Sequence, residues 1–408
     1  MSFWLTTVII LITYSGIAVG GLPYLRVNRT TIALIGVGAL LGLGLLGFDQ
    51  LASLLELNTL MLLFGMMIVN ANLQLAGFFR LAGAFILRWT KSPRSLLALE
   101  IVVAGILSAL FLNDTICLML TPLILDITLA AKRNPIPYLI ALAAASNIGS
   151  VATLTGNPQN MIIGIASRIS YLDFARALTP VALLGLGVIW LILVGFYRDE
   201  FSPVRFEQVE IPPLRLFRPL LTKSLIVTAG LLLAFVLGVP IAEAAFIAGC
   251  ILLFTRRVKP QKVMNQVDWN LLVFFACLFI LTGVIELNHL TDGIFKALLP
   301  YLRDDALALS LISVTLSNLV SNVPAVLLLR PAVASLSNPA AGWLTLAASS
   351  TLAGNLTLLG SVANLIVAET AARRGIKLTF GEYTRAGALI TLISLALSVV
   401  WIQMFIWR

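Results

Sequence analysis

Four short polar runs interrupt otherwise apolar stretches of this 408-residue chain. They are Asn113-Asp114-Thr115, Thr155-Gly156-Asn157-Pro158-Gln159-Asn160, Ser321-Asn322-Val323-Pro324 and Gly360-Ser361-Val362-Ala363-Asn364. These residue types end and restart helices. Asn, Ser and Thr accept hydrogen bonds from the free N–H groups of a first turn. Pro fits the first helical position, so Pro158 and Pro324 read as restarts. A half-helix that begins inside a membrane offers unpaired donors and a partial positive charge to an anion. The half-helix before it leaves free carbonyls that suit Na⁺. The same breaks can therefore hold an anion and a coupling cation. Scattered polar residues such as Thr228 and Thr282 read instead as interhelical packing and hydrogen-bonding groups.

Asp114 is the outstanding single residue, a carboxylate at one break where the matching position of the second half is Val323. A charge at membrane depth is costly and marks function by default. Asp114 could bind Na⁺ or carry a proton. Glu100 and Glu243 also lie inside apolar runs and are further coupling candidates, whereas Asp126 and Glu286 sit near run ends and read as interfacial. Cys117 lies one turn after Asp114 and reads as packing. No Lys or Arg falls within the four clusters. An anion is thus expected to be held by helix dipoles and side-chain amides, without a direct counter-ion.

Such breaks need long apolar helices around them. The chain is 60% hydrophobic and 11% charged, with a mean hydropathy of +1.02. Soluble domains sit nearer ~45–50% apolar and ~25% charged. A soluble, disordered or nucleic-acid-binding protein is excluded, and an all-α integral membrane protein is expected. Apolar runs fall at about 3–22, 31–48, 57–79, 96–130, 137–167, 177–197, 224–239, 241–255, 269–287, 305–338, 343–371 and 386–406. About 20 apolar residues make one crossing. The runs 96–130 and 305–338 are too long for one helix and are broken in the middle, so both read as re-entrant helical hairpins. The runs 137–167 and 343–371 read as broken transmembrane helices.

Charge sets the orientation. With both hairpins re-entrant and the N-terminus outside, 21 of the 27 Lys and Arg fall in cytoplasmic segments and five outside (Arg168, Arg176, Lys296, Arg303 and Arg408), with Arg330 inside the second hairpin. That bias satisfies the positive-inside rule and puts both termini outside a plasma (inner) membrane. The net charge of +9 is explained by these loops. The apolar start at Met1 reads as a first span, not a removed signal.

The two hairpins enter from opposite sides, which suggests an inverted repeat. Residues 143–163 and 347–367 align without gaps at 8 of 21 positions, including Ser146 with Ser350, Thr153 with Thr357, Gly156 with Gly360 and Asn160 with Asn364. The expected domains are a first repeat over 1–197, a cytoplasmic linker over 198–223 with Pro203, Pro212 and Pro213, and a second repeat over 224–408. Paired broken segments in two halves point to a transporter's binding site. The candidate site comprises Asn113, Asp114, Thr115, Ser146, Asn147, Thr155, Gly156, Asn157, Gln159, Asn160, Ser321, Asn322, Pro324, Ser350, Asn355, Thr357, Gly360, Ser361 and Asn364, with Asp114, Glu100 and Glu243 as coupling residues.

The strings NDTICLMLTP, SNIGSVATLTGNPQN, SNVPAVLLL, AGNLTLLGSVANLIV and GIKLTFGEYTRAGALITL resemble the arsenite permease, NhaD-type Na⁺/H⁺ antiporter and anion permease group of the ion transporter superfamily. The resemblance spans nearly the whole chain. It implies a scaffold domain and a transport domain in each protomer of a homodimer, with both hairpins and both broken helices moving as an elevator. The dicarboxylate branch carries Ser-Asn-Thr at its tips. Here the tips read Asn113-Asp114-Thr115 and Ser321-Asn322-Val323, and the first looks more like the arsenite permease branch, where coupling is usually to protons. The expected function is H⁺- or Na⁺-coupled secondary transport of a small inorganic ion, an oxyanion such as arsenite, or a small carboxylate. A Na⁺/H⁺ antiporter is the alternative, and an ion channel stands behind both. HExxH, GxSxG and Walker A strings are missing and His289 is the sole histidine, so no enzyme is expected. Neither a cofactor beyond the coupling ion nor a bound metal is expected. The expected partners are the ionic substrate, the bilayer and a second copy.

Overall fold

Backbone N–H and C=O groups in hydrocarbon must find partners within the chain, so each apolar run folds as helix. A computed structural model describes residues 2–20, 27–202, 216–256, 258–290, 293 and 305–407. Among these the chain forms 19 helices and no strand. They are α1 (Ser2–Val19), α2 (Arg29–Gly42), α3 (Phe48–Leu54), α4 (Leu57–Ala76), α5 (Phe78–Trp89), α6 (Pro93–Leu110), α7 (Asn113–Ala130), α8 (Ile136–Ser150), α9 (Pro158–Ser167) and α10 (Tyr171–Phe196). After residues 203–215 come α11 (Arg218–Val236), α12 (Ile241–Leu253), α13 (Pro260–Met264), α14 (Trp269–Leu287), α15 (Ala306–Val320), α16 (Asn322–Ala334), α17 (Pro339–Ala353), α18 (Val362–Ala372) and α19 (Phe380–Phe405). Most of the linker, with Pro203, Pro212 and Pro213, lies outside the described residues, as do Lys296, Arg303 and Arg408.

Seven of these helices (α4, α6, α7, α10, α11, α14 and α19) are long and apolar enough to cross a membrane. Large apolar side chains such as Leu183, Leu191, Leu392 and Val400 stand exposed on the two 26-residue helices α10 and α19. In water that surface would be a liability; against lipid it is the favourable one. The protein is a multi-pass α-helical membrane protein.

Both long runs fold as two-helix units. α6 and α7 are joined by Phe111 and Leu112, and α15 and α16 by Ser321 alone. Both broken runs also split where expected. α8 and α9 are separated by 151–157, and α17 and α18 by 354–361. Three details depart from the expectation. The run 57–79 becomes two helices, because Gly77 adopts φ +87° and ends α4 before α5 starts. α10 and α19 begin earlier than their apolar runs, at caps made by Ser170 (accepting from the Asp173 N–H) and Thr379 (accepting from the Glu382 N–H). Pro324 is the third residue of α16, not the first, a position whose N–H would have had no helical partner anyway.

The two halves interlock. α9 packs on α16 and α17 of the other half, and α18 packs on α7 and α8. Each half-helix that follows a break is thus seated against the opposite hairpin. α2 lies apart, packed on α1 and α14, and α4 packs on α11 and α12.

Candidate functional site

The first break is held by its own side chains. Asn157 caps α9, its Oδ1 accepting from the Asn160 N–H at 2.8 Å, with Pro158 next in the chain. Asn160 reaches back across the gap, its Nδ2 donating to the carbonyls of Ser150 and Thr153 at 2.9 Å each. Gly156 allows the close approach this needs. A Cβ there would lie 2.5 Å from the Ser150 oxygen and 2.8 Å from the Ser108 oxygen. The Gly156 carbonyl accepts from the Asn113 N–H at 3.0 Å, which ties the first hairpin tip to the break.

The second break repeats the design. Ser361 caps α18, accepting from the Ala363 N–H at 3.2 Å. Asn364 Nδ2 donates to the carbonyls of Gly354 at 2.7 Å and Thr357 at 3.1 Å. Those donors and acceptors stand at the same sequence offset as Asn160 with Ser150 and Thr153. The two breaks also bond to each other. Asn147 Nδ2 donates to Asn355 Oδ1 at 2.8 Å and Asn364 Oδ1 at 3.0 Å, and its Oδ1 accepts from Asn113 Nδ2 at 3.1 Å and the Ser361 hydroxyl at 3.0 Å. In the opposite direction Asn157 Nδ2 and Gln159 Nε2 donate to Thr351 Oγ1 at 3.2 and 3.3 Å. Ser146 donates to the Asn113 carbonyl and accepts from Ser108, both at 3.0 Å.

These bonds frame a cavity of about 190 Å³. Its floor is the first turns of α7 (Asn113, Asp114), α9 (Pro158, Gln159) and α16 (Asn322, Val323), with Ser321, Ser361 and Val362. Four helix N-termini therefore meet at one small space, each adding positive potential. Asn113 Oδ1 and Asn322 Oδ1, one from each hairpin tip, are buried and have no partner among the described residues. Asp114 is half-buried and accepts no hydrogen bond or ion pair there.

The opposite wall comes from residues that the sequence reading missed. It consists of Arg29 and Thr30 at the start of α2, and Asp268, Asn270, Leu271, Phe274 and Phe275 at the start of α14. Asp268 Oδ1 caps its helix, accepting from the Leu271 N–H at 3.0 Å. Arg29 places a basic side chain on the cavity wall, outside the four polar breaks. The local signal was slight: Asn28 and Asp268 are helix caps.

Other expected site residues lie one layer back. Thr115 accepts from Asn70 Nδ2 at 3.4 Å, and Thr155 lies 3.4 Å from the Tyr171 hydroxyl. Ser350 bonds the Ala347 carbonyl of its own helix, and Pro324 is buried. Thr357 and Gly360 contribute backbone only. Glu100 is fully buried in α6, away from the cavity lining, and both its oxygens lack partners among the described residues. Glu243 is exposed in the first turn of α12 and does not line the cavity, so the structure does not bring it to the site. Asp126 pairs with Arg374. Arg330 pairs with Glu56 at 2.5 Å. No cluster of three metal-ligating side chains occurs among the described residues.

A multi-pass helical protein whose internal helix N-termini enclose a small polar cavity belongs structurally with membrane transporters. The family profile of the citrate transporters (CitMHS) matches residues 8–353, and this chain belongs to that family. It is 33% identical to the silicon efflux transporter LSI3 of Oryza sativa subsp. japonica, over 92% of this chain and 93% of that one. It is 22% identical to the putative transporter arsB of Dictyostelium discoideum, over 92% and 87% respectively. Among solved structures, the YdaH transporter of Alcanivorax borkumensis superposes with a TM-score of 0.64 at 16% identity, covering 99% of this chain and 98% of that one, and so shares the fold. The resemblance read from the motifs is borne out: the chain is a transporter of the citrate transporter and arsenite permease type.

Proposed function

We propose that the protein is a secondary active transporter that carries a small anion and couples it to protons through Asp114. The observation that carries this reading is the cavity itself: four helix N-termini on its floor and, unpartnered among the described residues, two amide oxygens and one carboxylate share about 190 Å³. Helix N-termini suit the anion. Asp114, with no partner of its own, suits a group that gains and loses a proton during the cycle. The cavity is below the ~300–1,000 Å³ usual for drug-sized ligands. Its size favours a small inorganic oxyanion over a tricarboxylate, and one relative is named a silicon efflux transporter.

The repeated hydrogen bonds at the two breaks support two inverted repeats. The tips meet the breaks of helices too long to be surface loops, which supports re-entrant hairpins. We infer an elevator in which α6–α9 and α15–α18 move against α1–α4 and α11–α14, within a homodimer in the plasma membrane. The starts of α2 and α14, whose loops are cytoplasmic by the distribution of Lys and Arg, line the cavity, which supports an inward-facing conformation. Glu100, buried and unpartnered, is a second candidate for carrying a proton.

The test uses sealed proteoliposomes loaded with a pH dye. Arsenite, sulfate, citrate and succinate are added in turn. The expected result is a saturable, substrate-dependent proton flux that Asp114→Asn abolishes while the variant still inserts and folds. Wild-type flux in Asp114→Asn would remove that residue from coupling. A second reading, Na⁺/H⁺ antiport, is favoured by the two carboxylates Asp114 and Asp268 on one cavity. It predicts that Na⁺ alone collapses a pre-formed pH gradient.

A further inference from the structure

A second, larger cavity of about 540 Å³ adjoins the site. It lies between the end of α1, the start of α2, the end of α15 and one face of α18, with Glu369 on its wall. The two cavities share four lining residues: Arg29, Thr30, Ser321 and Val362. Arg29 therefore stands at the passage from the larger space to the smaller. Its side chain is half-buried and makes no hydrogen bond or ion pair among the described residues. Among the described residues it is also the sole basic side chain on either cavity lining.

Arg29 has a particular place in the fold. α2 packs on α1 and α14, whereas the four helix starts on the cavity floor belong to the interlocked hairpins and broken helices. Those floor elements carry no Lys or Arg on the cavity. A unit that moves past α2 leaves Arg29 behind. The site would then have a guanidinium in one state and lack it in the other.

We propose that Arg29 is an anion ligand supplied in one conformation only, so that the site binds its anion more tightly when open toward α2 than when open to the other side. This rests on the anion-transport reading above and sharpens it: the cargo recognised in this state carries negative charge, held between the guanidinium and the helix N-termini. A planar, always-charged guanidinium suits oxyanions and carboxylates. Loading is assisted on the α2 side, and release on the far side follows from losing the contact.

The test compares the two sides of one membrane. Inside-out and right-side-out vesicles are prepared from cells making wild type, Arg29→Gln or Arg29→Lys. Initial uptake of radiolabelled arsenate, sulfate and citrate is measured in each. A hydrogen-bonded charge is worth about 10- to 100-fold in affinity. For the anion that wild type carries, Arg29→Gln is expected to raise KM about 10-fold or more from the α2 side and to leave KM from the other side within twofold. Arg29→Lys restores part of the loss. An equal rise from both sides, or no rise, overturns the proposal: the first marks a merely structural arginine and the second an irrelevant one. A wild-type protein that moves none of the three anions from either side refutes the anion-transport reading itself, and the proposal falls with it.

Discussion

Asn364 and Asn160 do the same job in the two halves, yet alanine at the two positions should not cost the same. Both are fully buried. Asn364 uses its whole amide: Nδ2 donates to the Gly354 and Thr357 carbonyls, and Oδ1 accepts from Asn147. In Asn364→Ala the Thr357 oxygen keeps the Gly360 N–H, and Asn147 Nδ2 keeps Asn355, but the Gly354 oxygen is left with no partner among the described residues. A buried acceptor stripped of its partner costs about 1–3 kcal/mol, and each of the other lost bonds about 0.5–1.5 kcal/mol. The expected loss is about 2–6 kcal/mol. Asn160 makes only its two donations, and its Oδ1 already has no partner among the described residues. Asn160→Ala leaves the Thr153 oxygen unpaired, while Ser150 keeps a long contact from Asn157 at 3.4 Å. It also removes an unpaired buried oxygen, which offsets part of the cost. The expected loss is about 1–3 kcal/mol. Unfolding by SDS in mixed micelles, followed by tryptophan fluorescence, measures both. Asn364→Ala should be the more damaging of the two. Equal losses, the reverse order, or two losses within the ±0.5 kcal/mol or so of ordinary surface changes would refute this account of how the breaks are held.

Further predictions concern the tips. Ser321 forms the whole turn of the second hairpin at φ +80° and ψ +159°, a region nearly reserved for glycine that costs other residues about 1–3 kcal/mol. Ser321→Gly should be at least as stable as wild type in the same SDS assay and Ser321→Ala no more stable; a Gly variant as damaged as the Ala one would sink the strain argument. The Arg330–Glu56 pair joins the second hairpin to the start of α4, with each side chain about one-third exposed (35% and 32%). Such pairs contribute only about 0–1 kcal/mol, so Glu56→Gln should change the transport rate by no more than about fivefold. High salt should reproduce the change in wild type. A loss of a hundredfold would mean that the pair does more than bias two conformations.

Much of the site's floor was legible in the chain. Asn157-Pro158, Ser361, and the Asn113 and Ser321 breaks were recognisable because capping and helix termination are local chemistry, decided by a residue and its neighbours three or four positions away. Membrane embedding followed from composition for a similar reason: 60% apolar residues have nowhere else to go. The starts of α10 and α19 are also written locally, in Ser170 with Asp173 and Thr379 with Glu382, but these caps lie ahead of the apolar runs they open. Glu243 misled in the opposite way. It lies in an apolar run, yet its place in the first turn of α12 leaves it exposed.

The sequence by itself determined the class, the four breaks and the acid at one of them. Tertiary structure decided what faces those breaks. Arg29 and Asp268 look like ordinary loop charges until α2 and α14 are packed beside each other and set across from the hairpin tips. Asn147 gains its meaning only when Asn355 and Asn364, more than two hundred residues away, come within hydrogen-bond reach. Covalent order fixes where a helix stops. Which two stops share one cavity depends on how side chains pack through space, and no local spacing encodes that.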